Sequence, residues 1–405
     1  MHNHHLLIFF ALLIFSFGLF SRLAERKYVT GPMFFMTVGI LASSLVFNLF
    51  EVHYEMEPVK LVAELALTLI LFIDATLIER KFLRTPEART AARLLLIGLP
   101  LTMLAGTGLG VLMFGSVGIV SIILMALILS PTDAALGQAV VKSADVPSGI
   151  RQSISVESGL NDGIALPPIV ICMALLGADA GHHDGGWGVF VIKQVTLGPL
   201  IGAIVGLSSG WLIQKMSDRG WMEETFQRLS ALPIAIIAFA FAELAGGNGF
   251  ISAFVAGLAL TMAITNDHVR HQIQEFGETE GTQLIMVVFL IFGLVMVPIA
   301  SQYWGWPELI YAVASLTVIR MVPVAISMLG SGFDWRTITF IGWFGPRGIA
   351  SVLYLLMAVA AIGFAGYEQI MSVIVLTILI SVYAHGISAL PLSRRYGASR
   401  PSLDR

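Results

Sequence analysis

Charge is what this sequence has least of. Only 12% of its 405 residues are Asp, Glu, Lys or Arg, against about 25% in soluble domains. So few charges cannot cover a water-facing surface, and the mean hydropathy of +0.86 agrees. Cysteine is nearly absent: Cys172 is the single copy, which excludes an intrachain disulfide. No hydrophilic stretch is long enough to form a separate soluble domain. The net charge of −3 says little about partners, and no nucleic-acid partner is expected.

Apolar sequence fills the chain instead. Hydrophobic residues make up 57% of it, and runs of about 20 apolar residues recur along almost its whole length, the signal of membrane spans. Spans are expected to begin near Leu6, Gly31, Val59, Leu94, Gly118, Ile150, Val189, Phe226, Gly249, Leu284, Leu309, Thr337 and Gln369. The expected fold is therefore an all-α polytopic membrane protein of about 13 transmembrane helices, with residues 1–405 as one integral membrane domain. The segment from Leu6 to Phe20 lacks a basic n-region and a small-residue cleavage site, and Arg22, Arg26 and Lys27 follow it. It reads as a retained first span with the N-terminus outside. His2, His4 and His5 read as a terminal tract rather than a metal site.

Odd spans then run from outside to inside, which the distribution of Lys and Arg tests. Of 23 such residues, Lys60 and Lys193 fall on the outer side, and Arg320 and Arg347 lie within spans. All the others fall inside, among them Arg80, Lys81, Arg84, Arg89, Arg93, Arg394, Arg395, Arg400 and Arg405. Outer loops carry Glu51, Glu55, Glu57 and Asp184. The expected location is the inner (plasma) membrane, with the C-terminus cytoplasmic.

Several ionisable residues interrupt the spans: Asp74, Asp133, Glu157, Asp162, Glu243, Arg320 and Arg347. Each costs about 2.5–3.5 kcal/mol near a helix centre on insertion scales, which marks such residues as functional candidates. The bland reading is a set of ion pairs that lock helices together. Helix breaks argue for more. The fifth span contains Leu129-Ser130-Pro131-Thr132-Asp133, and the twelfth contains Gly342-Trp343-Phe344-Gly345-Pro346-Arg347-Gly348. Proline removes a helical hydrogen bond, and backbone freed at membrane depth is tolerated only where protein or water satisfies it. The fifth and twelfth spans cross in opposite directions, so paired breaks there suggest an inverted repeat with two crossed discontinuous helices and a midplane site. Two independent proline kinks are the plainer alternative. Asp133 and Arg347 would compensate the exposed helix dipoles and each other.

The sixth span carries Glu157-Ser158-Gly159-Leu160-Asn161-Asp162-Gly163. Ser158 and Asp162 share one helix face, and Glu157 and Asn161 share the next. Gly159 and Gly163 form a small-xxx-small pair expected to admit the broken backbone near Thr132, and Pro167 and Pro168 are expected to disturb the later half of the span. The cluster offers only oxygen ligands, which suit hard cations, with no His or Cys for softer metals. A carboxylate out of water has a raised pKa, so Asp162 can hold a proton or exchange it for a cation, but not both at once. Glu157 is read as a second ligand or as the partner that orients Asn161.

These motifs, in this order, resemble the NhaP-type sodium/proton antiporters, the electroneutral branch of the monovalent cation:proton antiporters. The resemblance rests on Ser130-Pro131-Thr132-Asp133, on Glu157 through Gly163, and on Gly345-Pro346-Arg347-Gly348. Leu71-Phe72-Ile73-Asp74-Ala75, Ala242-Glu243, Asn248-Gly249 and Arg320 support it. It implies a homodimer in which a mobile core bundle, with spans near 59–175 and 284–391, moves against a dimerisation bundle, with spans near 6–49 and 189–264. It also implies that Asp162, Glu157, Ser158 and the Thr132 carbonyl hold the transported Na⁺ or Li⁺, with K⁺ a further candidate. Asn161, Asp133, Arg347, Asp74 and Arg320 would support the site. Asn161 stands where the electrogenic branch has a second aspartate, which implies one-for-one exchange. No enzymatic activity and no cofactor are expected, and regulation through a long tail of the animal-exchanger kind is not. The rival reading is a sodium-coupled organic-anion symporter of related fold, for which Arg320 is the one group that would meet a solute anion.

Overall fold

The computed structural model describes residues 2–26, 29–50, 57–78, 86–133, 136, 138–141, 143, 145–178 and 187–398. Lys27, Glu51, Glu55, Arg80, Lys81, Arg84, His182, His183, Asp184, Arg400 and Arg405 lie outside them, as do the side chains of His2, His4, His5, Arg26, Glu57 and Lys60.

Regular structure among the described residues is helical throughout. First come α1 (His2–Arg26), α2 (Gly31–Ala42) and α3 (Glu57–Thr76). Next, α4 (Pro86–Arg93) passes through a π-turn at Leu94–Gly98 into α5 (Leu99–Met113). α6 (Ile119–Ile128) breaks off, and a short α7 (Gln138–Val141) follows. α8 (Ser148–Ala178) and α9 (Trp187–Asp218) are long. After α10 (Glu224–Leu229), α11 (Ala231–Leu244) and α12 (Gly249–Ala263), α13 (Asp267–Ile291) continues through a π-turn at Phe292–Met296 into α14 (Val297–Ser301). The chain finishes with α15 (Trp306–Leu316), α16 (Val318–Ser327), α17 (Trp335–Trp343), α18 (Ile349–Ile362) and α19 (Glu368–Ala398). Among the described residues, 7 helical stretches are long and apolar enough to cross a membrane, and shorter apolar helices such as Ile119–Ile128 and Ile349–Ile362 accompany them.

Side-chain caps set several boundaries. Asn248 accepts from the Ile251 N–H at 2.9 Å and opens α12, while Glu243 accepts from the Gly249 N–H at 2.8 Å beside it. Asn266 opens α13 and Asp334 opens α17 in the same way, each satisfying N–H groups that a helix start leaves unpaired. Pro167 and Pro168 do not break the sixth span: α8 runs straight through them. A proline pair deletes two N–H donors, but the carbonyls it frees sit in a helix packed on several neighbours, which holds the turn in place.

Two groups of helices emerge from the packing. α9, α11, α12, α13 and α3 lean on one another, and α2 crosses α13 and the π-turn after it. The other group comprises α4 to α8 and α15 to α19. α3 lies at the seam, because it also touches α8 and α18. The tightest contact is α9 on α12. Gly198, Gly202, Gly206 and Gly210 recur at every fourth position of α9, on one face. A Cβ at Gly210 would stand 2.7 Å from the Ala263 Cβ, and one at Gly206 2.8 Å from the Ala259 Cβ. Only glycine lets the backbones come this close.

Candidate functional site

The two breaks meet in the second group, and each helps to satisfy the other. α6 ends at Ile128, which leaves carbonyls with no helical partner. The Ser351 hydroxyl donates to the Ile128 carbonyl at 2.8 Å. Arg347 Nη1 donates to the Ser130 carbonyl and to the Pro131 carbonyl, the latter at 2.9 Å. All three carbonyls belong to the first broken span, and both donors belong to the second.

The converse holds on the other side. α18 opens at Ile349, and its N–H donates to Asp133 Oδ2 at 2.6 Å. The Asp133 N–H in turn donates to the Pro346 carbonyl at 2.9 Å. A carboxylate thus sits on a helix N-terminus and a guanidinium on a helix C-terminus, the favourable placement in both cases. Each charge compensates the other span's break, rather than its own. Gly348 makes this possible, because a Cβ there would overlap the Asp133 carboxylate. Gly345 is equally constrained: its Cβ would stand 2.9 Å from the Thr132 methyl and 3.1 Å from Arg320 Cζ.

α19 holds the second break from behind. Ser381 Oγ accepts from the Arg347 backbone N–H at 2.7 Å. His385 lies with Nδ1 2.9 Å from the Ser381 carbonyl and Nε2 3.0 Å from the Trp343 carbonyl at the end of α17.

α8 supplies the acids. Glu157 is buried and ion-paired with Arg320, whose Nη2 lies 2.6 Å from Oε1 and 2.9 Å from Oε2. Asn161 donates to the Thr132 hydroxyl at 2.7 Å and to the Thr132 carbonyl at 3.2 Å. The Thr132 hydroxyl is also 3.1 Å from Ser158 Oγ. Thr132 therefore orients Asn161, and Arg320 holds Glu157. Asp162 is buried at 4% exposure, yet its Oδ1 has no hydrogen-bond partner among the described residues. The Tyr354 hydroxyl donates to the Asp162 backbone carbonyl at 3.2 Å, leaving the carboxylate untouched.

Thr132, Ser158, Asn161, Asp162, Glu157 and Arg320 thus come together at the crossing, with Asp133 and Arg347 on its far side. Asp74 meets α8 from α3 through its backbone: a Cβ at Gly159 would lie 3.5 Å from the Asp74 carbonyl oxygen. The small-xxx-small pair has a different role from the one expected. Gly163 admits the Phe254 ring of α12, whereas a Cβ at Gly159 would make only ordinary contact with α3. The broken backbone at Thr132 approaches α8 through the Ser158 and Asn161 side chains instead. Ser351, Ser381 and Tyr354 were not singled out from sequence. Their signal is a hydroxyl in an otherwise apolar run close to a break, a pattern that packing serines share.

Chemically, the site is a buried set of oxygens in which Asp162 Oδ1 and Asn161 Oδ1 have no hydrogen-bond partner among the described residues. A hard cation or a proton satisfies the carboxylate oxygen, and the two compete for it.

A family model described as sodium/hydrogen exchanger, transmembrane, matches residues 8–395. The K(+)/H(+) antiporter NhaP2 of Shewanella sp. (strain MR-4) is 27% identical over 385 residues, covering 93% of this chain and 64% of its own length. A probable Na(+)/H(+) antiporter of Schizosaccharomyces pombe is 24% identical over 255 residues, covering 58% of this chain and 32% of its own length. The chain thus spans 64% of the length of curated relatives such as the Shewanella protein. The solved structure of the sodium proton antiporter MjNhaP1 from Methanocaldococcus jannaschii at pH 8 has a similar fold, with TM-score 0.78 at 16% identity, and the match covers 98% of this chain and 99% of that one.

Proposed function

The chain belongs to the sodium/hydrogen exchanger family, and we propose that it exchanges a monovalent cation for protons, one for one, across the inner (plasma) membrane. The unpartnered Oδ1 of buried Asp162 carries this reading. Protonated Asp162 and cation-loaded Asp162 bear the same net charge. An empty, charged site is the costly form to move through low dielectric. Movement therefore accompanies one ligand or the other, and competition at one carboxylate couples the two fluxes. Thr132 and Ser158 supply further oxygens, while Arg320 keeps Glu157 neutralised. In this conformation Glu157 is braced by Arg320, and any coordination by it requires that pair to loosen.

The cation is Na⁺, Li⁺ or K⁺; relatives named for sodium and for potassium both occur among the similar proteins. The organic-anion symporter has no support, because Arg320, its expected solute contact, is occupied by Glu157. We further propose a homodimer with the N-terminus outside and the C-terminus in the cytoplasm. In it the bundle carrying the crossing rocks against the bundle built on the α9–α12 seam.

Purified protein in vesicles with an imposed pH gradient tests the proposal. Addition of the right cation dissipates the gradient at the same rate with or without valinomycin and K⁺. A rate that rises steeply with valinomycin overturns one-for-one exchange, and no dissipation by any of the three cations overturns antiport.

A further inference from the structure

Outside the crossing, the most informative feature is a groove on the flank formed by α16, α17 and α19. It is a cavity of about 680 Å³. α17 lines it with Trp335, Arg336, Thr339, Phe340 and Trp343. Their spacing of one and four residues places them on one face of the helix.

α17 and α19 run antiparallel here. The Thr337 hydroxyl lies 2.9 Å from that of Tyr396, the Phe340 and Tyr396 rings stack at 4.2 Å, and the Trp343 indole N–H donates to Ser388 Oγ at 3.0 Å. The first turn of α17 and the last turns of α19 are therefore at the same end. That end carries Arg336 from one helix and Arg395 from the other. From Arg336 to Trp343 the groove extends about 10 Å along the helix axis, away from the charged mouth and into apolar walls.

Two observations point to a ligand. Arg336 and Arg395 are exposed, and neither has a carboxylate partner among the described residues. Asp334, the acid nearest Arg336 in sequence, is directed at the Thr337 N–H as the cap of α17. Trp335 stands 70% exposed beside Arg336, the position of an indole at a membrane–water interface. Two guanidiniums at the mouth, a helix N-terminus beside them and an apolar channel below match an anion joined to a hydrocarbon chain.

We propose that this groove binds an anionic phospholipid of the cytoplasmic leaflet, with its phosphate between Arg336 and Arg395 and an acyl chain along Phe340 and Trp343. The leaflet rests on the membrane orientation proposed above; the chemistry of the groove does not. Occupancy matters for exchange because of what α17 and α19 hold. α17 leads directly into the Gly345–Gly348 break, and α19 carries the Ser381 and His385 contacts that fix it. A lipid bridging the two helices stiffens the frame on which Arg347 is presented to α6.

The test measures lipid retained on the purified protein and exchange in vesicles. Protein from vesicles of phosphatidylcholine and phosphatidylglycerol retains phosphatidylglycerol selectively by native mass spectrometry. In Arg336→Gln/Arg395→Gln, retention weakens by about 25-fold, roughly fivefold for each arginine, and the gain in exchange rate that phosphatidylglycerol gives the unaltered protein disappears. Exchange in pure phosphatidylcholine stays the same for both proteins. Arg336→Lys/Arg395→Lys keeps most of the retention, and Trp335→Ala lowers it without changing charge. Equal retention by the glutamine variant and the unaltered protein overturns the proposal. So does stabilisation by inorganic phosphate in detergent that matches that by phosphatidylglycerol, since the occupant would then be a free anion. Both leaflets of these vesicles hold the anionic lipid, so a wrong orientation leaves the retention result intact. Retention measured on Asp162→Asn separates the groove from the antiport reading in the same way.

Discussion

Two sets of buried charge lie side by side on and around α8, and they are treated in opposite ways. On one side, Asp133, Arg347, Glu157 and Arg320 each have a named partner: a helix N-terminus, a row of carbonyls, or each other. On the other, Asp162, at 4% exposure, keeps an oxygen with no hydrogen-bond partner among the described residues. Both sets carry the desolvation cost of burial. The braced set recovers part of it through local bonds and ion pairing, although Arg320 Nε and Nη1 and Arg347 Nε and Nη2 find no hydrogen-bond partner among the described residues. The Asp162 oxygen recovers nothing until a ligand arrives. Charge alone in a membrane span therefore does not identify the working residue; how each charge is partnered narrows the choice.

The comparison breaks most visibly at Asp162. Asp162→Asn removes the competing carboxylate while leaving the Tyr354 bond to its backbone carbonyl in place. Exchange should fall to the level of empty vesicles, with the thermal unfolding temperature unchanged. Normal turnover in this variant would remove Asp162 from the site, and a large loss of stability would return it to the braced set.

Arg347→Ala reverses the pattern. It strips two carbonyls at the end of α6 of their donor and leaves Asp133 buried opposite a lost countercharge. Removing one member of a buried charged network costs about 3–5 kcal/mol, so unfolding in detergent should occur many degrees lower, with exchange reduced in proportion to folded protein. Loss of exchange at full stability would give Arg347 a direct part in transport.

Glu157 and Arg320 sharpen the distinction, because the pair can be removed together. Glu157→Gln alone strands a buried guanidinium and should destabilise by about 3 kcal/mol. Adding Arg320→Gln should restore most of that, since two neutral amides replace two charges. Exchange in the double variant then reports whether Glu157 ever serves the cation. Activity near that of the unaltered protein makes the pair a brace only; inactivity with restored stability makes Glu157 a ligand.

Much of this architecture was legible in the sequence for a physical reason. A bilayer forces every span to be long, apolar and internally hydrogen-bonded, so the runs, the prolines and the intramembrane charges stand out. The breaks at Pro131 and Pro346, and the approach of Thr132 to Ser158, follow from that punctuation. The partners did not follow. Glu157 meets Arg320 across 163 residues of chain, and Asp133 caps α18 rather than its own break. Both depend on how two spans cross, which no local spacing encodes. The glycines of α8 misled in the same way: Gly163 does mark a close approach, but to Phe254, and Gly159 marks none that a Cβ would prevent. A small residue announces that something comes near without saying what. Ser351 and Ser381 were invisible because a serine bonded to its own helix has the same sequence signature.

Ser351 offers the finest test of reciprocal capping. Its hydroxyl donates to the Ile128 carbonyl, the first of the three that α6 leaves open, across 223 residues of chain. It carries no charge and touches neither Asp162 nor Thr132 by hydrogen bond. Ser351→Ala leaves one buried carbonyl unsatisfied, which costs about 1 kcal/mol, and should lower the unfolding temperature slightly while exchange persists. Ser351→Thr keeps the donor and should restore the loss if the extra methyl fits. A full-sized effect of Ser351→Ala on exchange, with stability intact, would mean that the end of α6 moves during transport and that its caps are part of the cycle rather than its frame.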